Sequence, residues 1–151
     1  MKVEKADRRK PRGVSAPGAK TAKAPAKGGR ASFRKALLVQ RRGDIRAELD
    51  ALMGKIEAQA REIERTLTFE TLNVYSELVR KFVQIAVNEL FEVEEELSIG
   101  PTGKQKSMIL VKKINAELEE MAEEFLNRQA NLLSFMGRID GIRGLLIDLY
   151  S

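Results

Sequence analysis

From Asp44 onward, apolar residues recur at helical spacing. Ile45, Leu49, Leu52, Ile56, Ala60, Ile63 and Leu67 are separated by steps of three or four, which places them on one face of a helix. Asp44 is a good N-cap for that helix. Before it, Ser32 caps a shorter helix, Phe33–Arg42, carrying Phe33, Leu37 and Leu38, and Gly43 punctuates the two. Thr66 and Thr68 bracket a short turn or else lie inside one continuous helix. A second stripe follows at Leu72, Tyr75, Val79, Phe82, Ala86, Leu90, Val93 and Leu97. Val74, Leu78 and Ile85 widen it, as suits a helix packed against two neighbours. Ser98-Ile99-Gly100-Pro101 supplies a C′ glycine and a helix-stopping proline. Thr102 and Gln105 then stand at capping-box spacing.

The third helix carries Met108, Val111, Ile114, Leu118, Met121 and Phe125. The fourth carries Leu132, Phe135, Ile139, Ile142, Leu146 and Leu149. One unbroken helix from Gln105 to Tyr150 would be about 69 Å long at 1.5 Å per residue, too long for a domain of this size. A break near Asn127–Asn131 is therefore expected. No strand pattern appears. The expected fold is all-α: an antiparallel four-helix bundle over residues 44–151, preceded by a short helix or linker at 31–43.

Residues 1–30 have a different composition. They hold Pro11, Pro17 and Pro25 with Gly13, Gly18, Gly28 and Gly29, and few residues able to form a core. Such a segment buries too little apolar surface to offset its ordering entropy, so a disordered basic N-terminal tail is expected. Charge is split in the same place. Residues 1–42 hold fourteen Lys/Arg against two acids, a net +12, whereas residues 43–151 carry −7. The sequence pI of about 9.6 therefore belongs to the tail, and the body is mildly acidic.

The chain has no Cys, His or Trp. Ser-His-Asp and Cys-His catalysis are excluded, as are disulfides and zinc sites of the usual kind. The expectation is a protein with no catalytic residues, no cofactor and no metal. Absent cysteine, and an N-terminus in which Arg8-Arg9 is followed by Lys10-Pro11-Arg12-Gly13 without an apolar segment, point to the cytoplasm. No apolar stretch is long enough to cross a membrane.

Several motifs have both a sharp and a plain reading. Gly100-Pro-Thr-Gly-Lys-Gln suggests a phosphate loop, but Ser98 stands where the first glycine belongs and Gln105 where Ser or Thr should hold magnesium. It reads as a helix–helix loop. The carboxylates Glu92, Glu94, Glu95 and Glu96, and Glu117, Glu119, Glu120, Glu123 and Glu124, fall mostly between apolar positions and read as a solvated acidic face. Gly137, Gly141 and Gly144 interrupt the fourth helix. The plain reading is that they let another helix approach its backbone; the sharper one is a hinge or ligand groove. Asp140 and Arg143 are spaced for an ion pair along that helix. Arg143 and Tyr150, of residue types common at binding hot spots, form the candidate partner-facing pair. In the tail, Arg8, Arg9, Lys10 and Arg12 are candidate polyanion contacts. Arg9-Lys10-Pro11-Arg12-Gly13 looks like the start of an AT-hook, and the match fails at Val14.

Three segments resemble a known family: Thr66–Val87 (TLTFETLNVYSELVRKFVQIAV), Leu110–Met121 (LVKKINAELEEM) and Ile139–Tyr150 (IDGIRGLLIDLY). They are similar to the YaaR-like bacterial proteins of unknown function, the closing segment most specifically. The resemblance covers roughly residues 44–151 and leaves the tail outside. It implies a helical bundle in a cytoplasmic bacterial protein and implies no activity. The functional expectation is a non-enzymatic interaction or scaffold module with a protein partner. The alternative is a nucleic-acid-associated protein tethered through its tail.

Overall fold

The computed structural model describes residues 25–97 and 103–150. Every element among them is helical: α1 (Pro25–Arg65), α2 (Phe69–Ile85), a π turn (Ala86–Leu90), α3 (Phe91–Glu96), α4 (Gly103–Leu126) and α5 (Leu132–Tyr150). No strand occurs among the described residues. The chain divides into two units, Met1–Arg41 and Arg42–Ser151.

The second unit is an antiparallel four-helix bundle. Gln59 of α1 donates to the carbonyl of Thr71 at the start of α2, while Arg42 pairs with Glu94 near the end of α3, so α1 and α2–α3 run in opposite directions. Arg143 reaches back to Glu57, and Tyr150 to Asp50, so α5 also opposes α1. Arg138 contacts Glu124, Glu120 and Glu117 in descending order along α4, which sets α4 against α5. Phe69 at the start of α2 lies 6.4 Å from Phe125 at the end of α4, ring to ring.

The start of α1 departs from the sequence expectation. Pro25 opens the helix, so residues 25–30 are helical and not part of a coil. Proline is well suited to a first helical turn, where its missing N–H has no partner to lose. The separate helix Phe33–Arg42, the break at Gly43 and the cap at Asp44 are replaced by one helix running through all three. An interior glycine costs about 1 kcal/mol against alanine, too little to end a helix whose later turns, from Ile45 onward, pack into the core.

The other ends have local causes. Thr68 and Thr71 form a reciprocal capping box: each hydroxyl accepts the other's backbone N–H, at 3.1 and 3.0 Å. That settles the turn at 66–68. In the π turn the Phe91 N–H bonds the Ala86 carbonyl, five residues back. Helix α4 ends with Gln129 N–H on the Glu124 carbonyl and Arg128 N–H on that of Phe125. This is a Schellman motif with Arg128 at φ 56°, where glycine is usual. Asn131 then caps α5 by accepting the Ser134 N–H at 3.1 Å. The stop at 98–101 and the Thr102 cap lie outside the described residues, as do Arg8, Arg9, Lys10 and Arg12 with the rest of 1–24.

The core is close to the expected stripes. Leu49, Ile63, Tyr75, Phe82, Ile114, Phe135 and Leu146 are buried, with neighbours from all four long helices. Three positions differ, Val74 being the first, at 38% exposure on the flank of the α2 stripe. Met108 and Leu132 are exposed, at 57% and 41%. From Ile114 the buried face of α4 steps back four to Leu110 and three to Ser107. Two steps of three, to Val111 and Met108, rotate about 120° away from it.

Candidate functional site

The expected partner-facing residues Arg143 and Tyr150 lie two turns apart on α5, and both engage α1. Arg143 Nε donates to Glu57 at 2.8 Å, and this contact holds the guanidinium above its ordinary pKa. The expected Asp140–Arg143 pair is replaced, because Glu57, 86 residues away in sequence, meets the guanidinium across the helix–helix seam. Tyr150 Oη donates to Asp50 at 2.7 Å, and its ring sits under the Arg46 guanidinium, 4.2 Å from the centroid. Burial, then the Asp50 contact, pushes the Tyr150 phenol up. Arg46 also donates to the Tyr150 carbonyl at 3.3 Å and lies 3.6 Å from Glu94, which Arg42 Nε contacts at 2.8 Å. Together these groups lock the end of α5 to α1 and α3. Tyr150 is largely committed to that seam, while Arg143 stays half-exposed.

The acidic face of α4 is not uniformly solvated. Arg138 Nη1 binds Glu117 and Glu120 at 2.8 and 2.6 Å, and Nη2 binds Glu124 at 2.7 Å. The hydrogen bond that Arg138 donates to Glu124 leads in keeping this guanidinium charged. Three carboxylates are thus drawn onto one cation. Glu119 and Glu123, between them, are not. No group of three or more Asp or Glu is arranged to hold a metal ion among the described residues.

The glycines of α5 do not admit a neighbouring helix. Gly137, Gly141 and Gly144 are exposed, and a Cβ added at any of them would meet nothing within 4 Å. The close-approach reading is therefore corrected. Between α2 and α4 lies a groove of about 530 Å³, lined by Phe69, Leu72, Arg80, Glu119, Phe125 and Leu126 among others. Deeper in the bundle, the Tyr75 hydroxyl is buried without a hydrogen-bond partner. Burial, with a smaller contribution from Asp140, raises its pKa well above the ordinary 10.0. No helix among the described residues is long and apolar enough to cross a membrane.

Comparison with known proteins adds a lineage to this geometry. The profile of DUF327, a family described as protein of unknown function, matches residues 8–150. The chain belongs to the DUF327 family. The match begins far ahead of residue 44, so much of the basic segment lies inside the family's extent and not beyond it. The uncharacterized protein YaaR of Bacillus subtilis (strain 168) is 31% identical over 104 residues, covering 69% of this chain and 71% of that protein. The crystal structure of the uncharacterized protein BH1478 from Bacillus halodurans is similar at a TM-score of 0.71 and 31% identity, over 79% of this chain and 98% of that one. A designed granulopoietic protein, Moevan, shares the fold at a TM-score of 0.67 and 24% identity, over 74% and 95% of the two chains.

Within this DUF327 bundle, sequence spacing missed Glu57, Asp50, Glu94 and the Arg138 clamp. The clamp left a trace in the sequence. Arg138 and Glu124 are equidistant from residue 131, as a tight α4–α5 hairpin requires. The α1–α5 contacts, up to 104 residues apart, left no comparable trace.

Proposed function

We propose that the protein is a non-enzymatic interaction module of the cytoplasm that offers the first turns of α1 to an acidic protein partner. The observation behind this reading is the surface of that helix. Phe33 and Leu37, one turn apart and on the same face, are 67% and 51% exposed, and Val39 is 54% exposed. Residues 25–42 contain six Lys/Arg and no acid. Large exposed side chains on a helix are energetically unfavourable in water, and covering two such residues is worth about 1.5–3 kcal/mol each. Basic residues around an apolar stripe favour a groove with an acidic rim. A composition without His or Cys supports a binding role over a catalytic one.

The test is site-specific photocrosslinking in cells. A photoreactive phenylalanine analogue at residue 33 or 37 should capture one recurrent protein, and the same analogue at Leu133, which is 84% exposed on α5, should not. With the analogue placed instead at Val39, which is 54% exposed, Phe33→Asp with Leu37→Asp should abolish capture without loss of helicity. Capture that is equal at residues 33, 37 and 133 sinks the reading.

A second reading, nucleic-acid association, rests on the fourteen Lys/Arg against two acids in residues 1–42, including Arg8, Arg9, Lys10 and Arg12. It expects weak, sequence-tolerant duplex binding, with Kd of order 10⁻⁴–10⁻⁶ M at physiological salt, falling steeply as salt rises. Removing residues 1–24 should weaken a gel shift sharply. Equal affinity with and without them would dismiss this tether.

A further inference from the structure

We propose that the outer face of α4 is a two-fold interface, on which the α4 of a second copy packs antiparallel. This is independent of the α1 surface above. The exposed face consists of Ile109, Lys112, Ala116, Glu119, Glu123 and Leu126, at steps of 3, 4, 3, 4 and 3. Such steps keep six residues on one seam of a helix. The seam complements its own reverse. Turned end for end about the midpoint between residues 117 and 118, Ile109 meets Leu126, Lys112 meets Glu123, and Ala116 meets Glu119. Apolar residues at the two ends, small against long at the centre and opposite charges between are what an isologous contact needs, because each residue pair then occurs twice.

The charge order along α4 gives a separate reason. Lys104, Lys106, Lys112 and Lys113 precede Glu117, Glu119, Glu120, Glu123 and Glu124. Bases near the N-terminus and acids near the C-terminus both oppose the helix dipole. Within the bundle, Arg138 relieves Glu117, Glu120 and Glu124. Among the described residues, Lys112, Lys113, Glu119 and Glu123 form no ion pair. Glu119 and Glu123, one turn apart, also repel one another. An antiparallel second α4 brings the basic half of each helix against the acidic half of the other and removes both penalties at once.

The groove between α2 and α4 completes the fit. Ala116, Glu119, Glu123 and Leu126 border it on the α4 side, and Phe69, 60% exposed, borders it on the α2 side. Ile109, at the other end of the seam, is 56% exposed. In the antiparallel arrangement it arrives beside Leu126 and Phe69 of the other copy. Ala116, exposed, small and beside the proposed axis, lets the two helices come close. The seam is eighteen residues long, about 27 Å, which places the contact among modest interfaces.

Sedimentation equilibrium on the full chain is the primary test. A monomer–dimer equilibrium is expected, weakening at least tenfold between 0.05 and 0.5 M NaCl. The double variant Lys112→Glu/Lys113→Glu should be monomeric and fully helical, and so should Glu119→Lys/Glu123→Lys. An equimolar mixture of the two should form a 1:1 heterodimer, because one copy then presents only acids along the seam and the other only bases. The chain has no cysteine, so Ala116→Cys supplies a unique thiol close to the proposed axis. A short bismaleimide should link two such copies and fail to link copies carrying Ser134→Cys on α5. A chain that stays monomeric at 100 µM and low salt, as it would if the face served a different protein, overturns the proposal. A dimer left intact by both charge variants, or folded variants that do not pair when mixed, overturns it equally.

Discussion

Replacing the three glycines of α5 with alanine should make the bundle markedly more stable. Gly137, Gly141 and Gly144 are helix-interior positions on the exposed face, and their backbone is ordinary right-handed helix. The Cβ of an alanine would meet no atom within 4 Å at any of the three, so there is no steric term to oppose the gain. The gain comes from the unfolded state, where glycine samples more conformations than alanine, and is about 1 kcal/mol per site. The sites do not share partners, so the three should add to about 3 kcal/mol. For a unit of roughly this size 1 kcal/mol moves Tm by about 4 °C, so the triple variant should melt about 12 °C higher. Thermal melts followed by circular dichroism at 222 nm, with urea titrations in parallel, measure this. The urea midpoint should rise with the slope unchanged, because the surface exposed on unfolding is the same. A Tm equal to or below that of the parent chain would refute the reasoning and show that something approaches the α5 backbone closely.

Four further outcomes follow from three single side chains. Tyr75→Phe should stabilise by about 1 kcal/mol by removing a buried hydroxyl that has no partner, and a lower Tm would show that the hydroxyl is satisfied in solution. The same tyrosine sets an alkaline limit: its folded pKa is raised, so its contribution is complete below about pH 10 and is lost as pH rises further, at up to about 1.4 kcal/mol per pH unit. Tyr75→Phe should flatten the fall of stability between pH 10 and 11, and an unchanged slope would exclude this tyrosine as its source. Arg128→Gly should raise stability by about 1 kcal/mol by relieving a left-handed backbone that favours glycine, and urea unfolding reads it directly. Arg138→Gln should lower stability by about 2 kcal/mol at neutral pH, because Glu117, Glu120 and Glu124 would face one another without their shared cation while solvent screens part of their repulsion; a loss below about 0.5 kcal/mol would mean the clamp contributes little to stability.

Periodicity alone determined most of the bundle. The stripes through Leu49, Phe82, Ile114 and Ile142 are buried because a 3.6-residue repeat admits only one apolar face per helix, and that information is local. The break at 127–131 was equally legible, although its cause is local, a Schellman stop at Arg128 and an N-cap at Asn131, and not length, since α1 itself runs for 41 residues. Local signals failed where they were weak against packing. Gly43 and Asp44 carry the signature of a boundary, yet the turns after them pack well enough to draw the helix through. Met108 was misplaced because a three-residue step and a four-residue step look alike over one turn and differ over two. Everything that depends on which helices are neighbours belonged to the tertiary structure. Arg143 chooses Glu57 over Asp140, and Tyr150 is committed to Arg46 and Asp50, because α5 lies antiparallel on α1. The glycines of α5 carry a spacing that suggests close contact, and only the packing shows that they face outward. A helix reports from its own sequence which face is apolar. Which partner a charged or small residue meets depends on the arrangement of the other three helices, and no single helix encodes that.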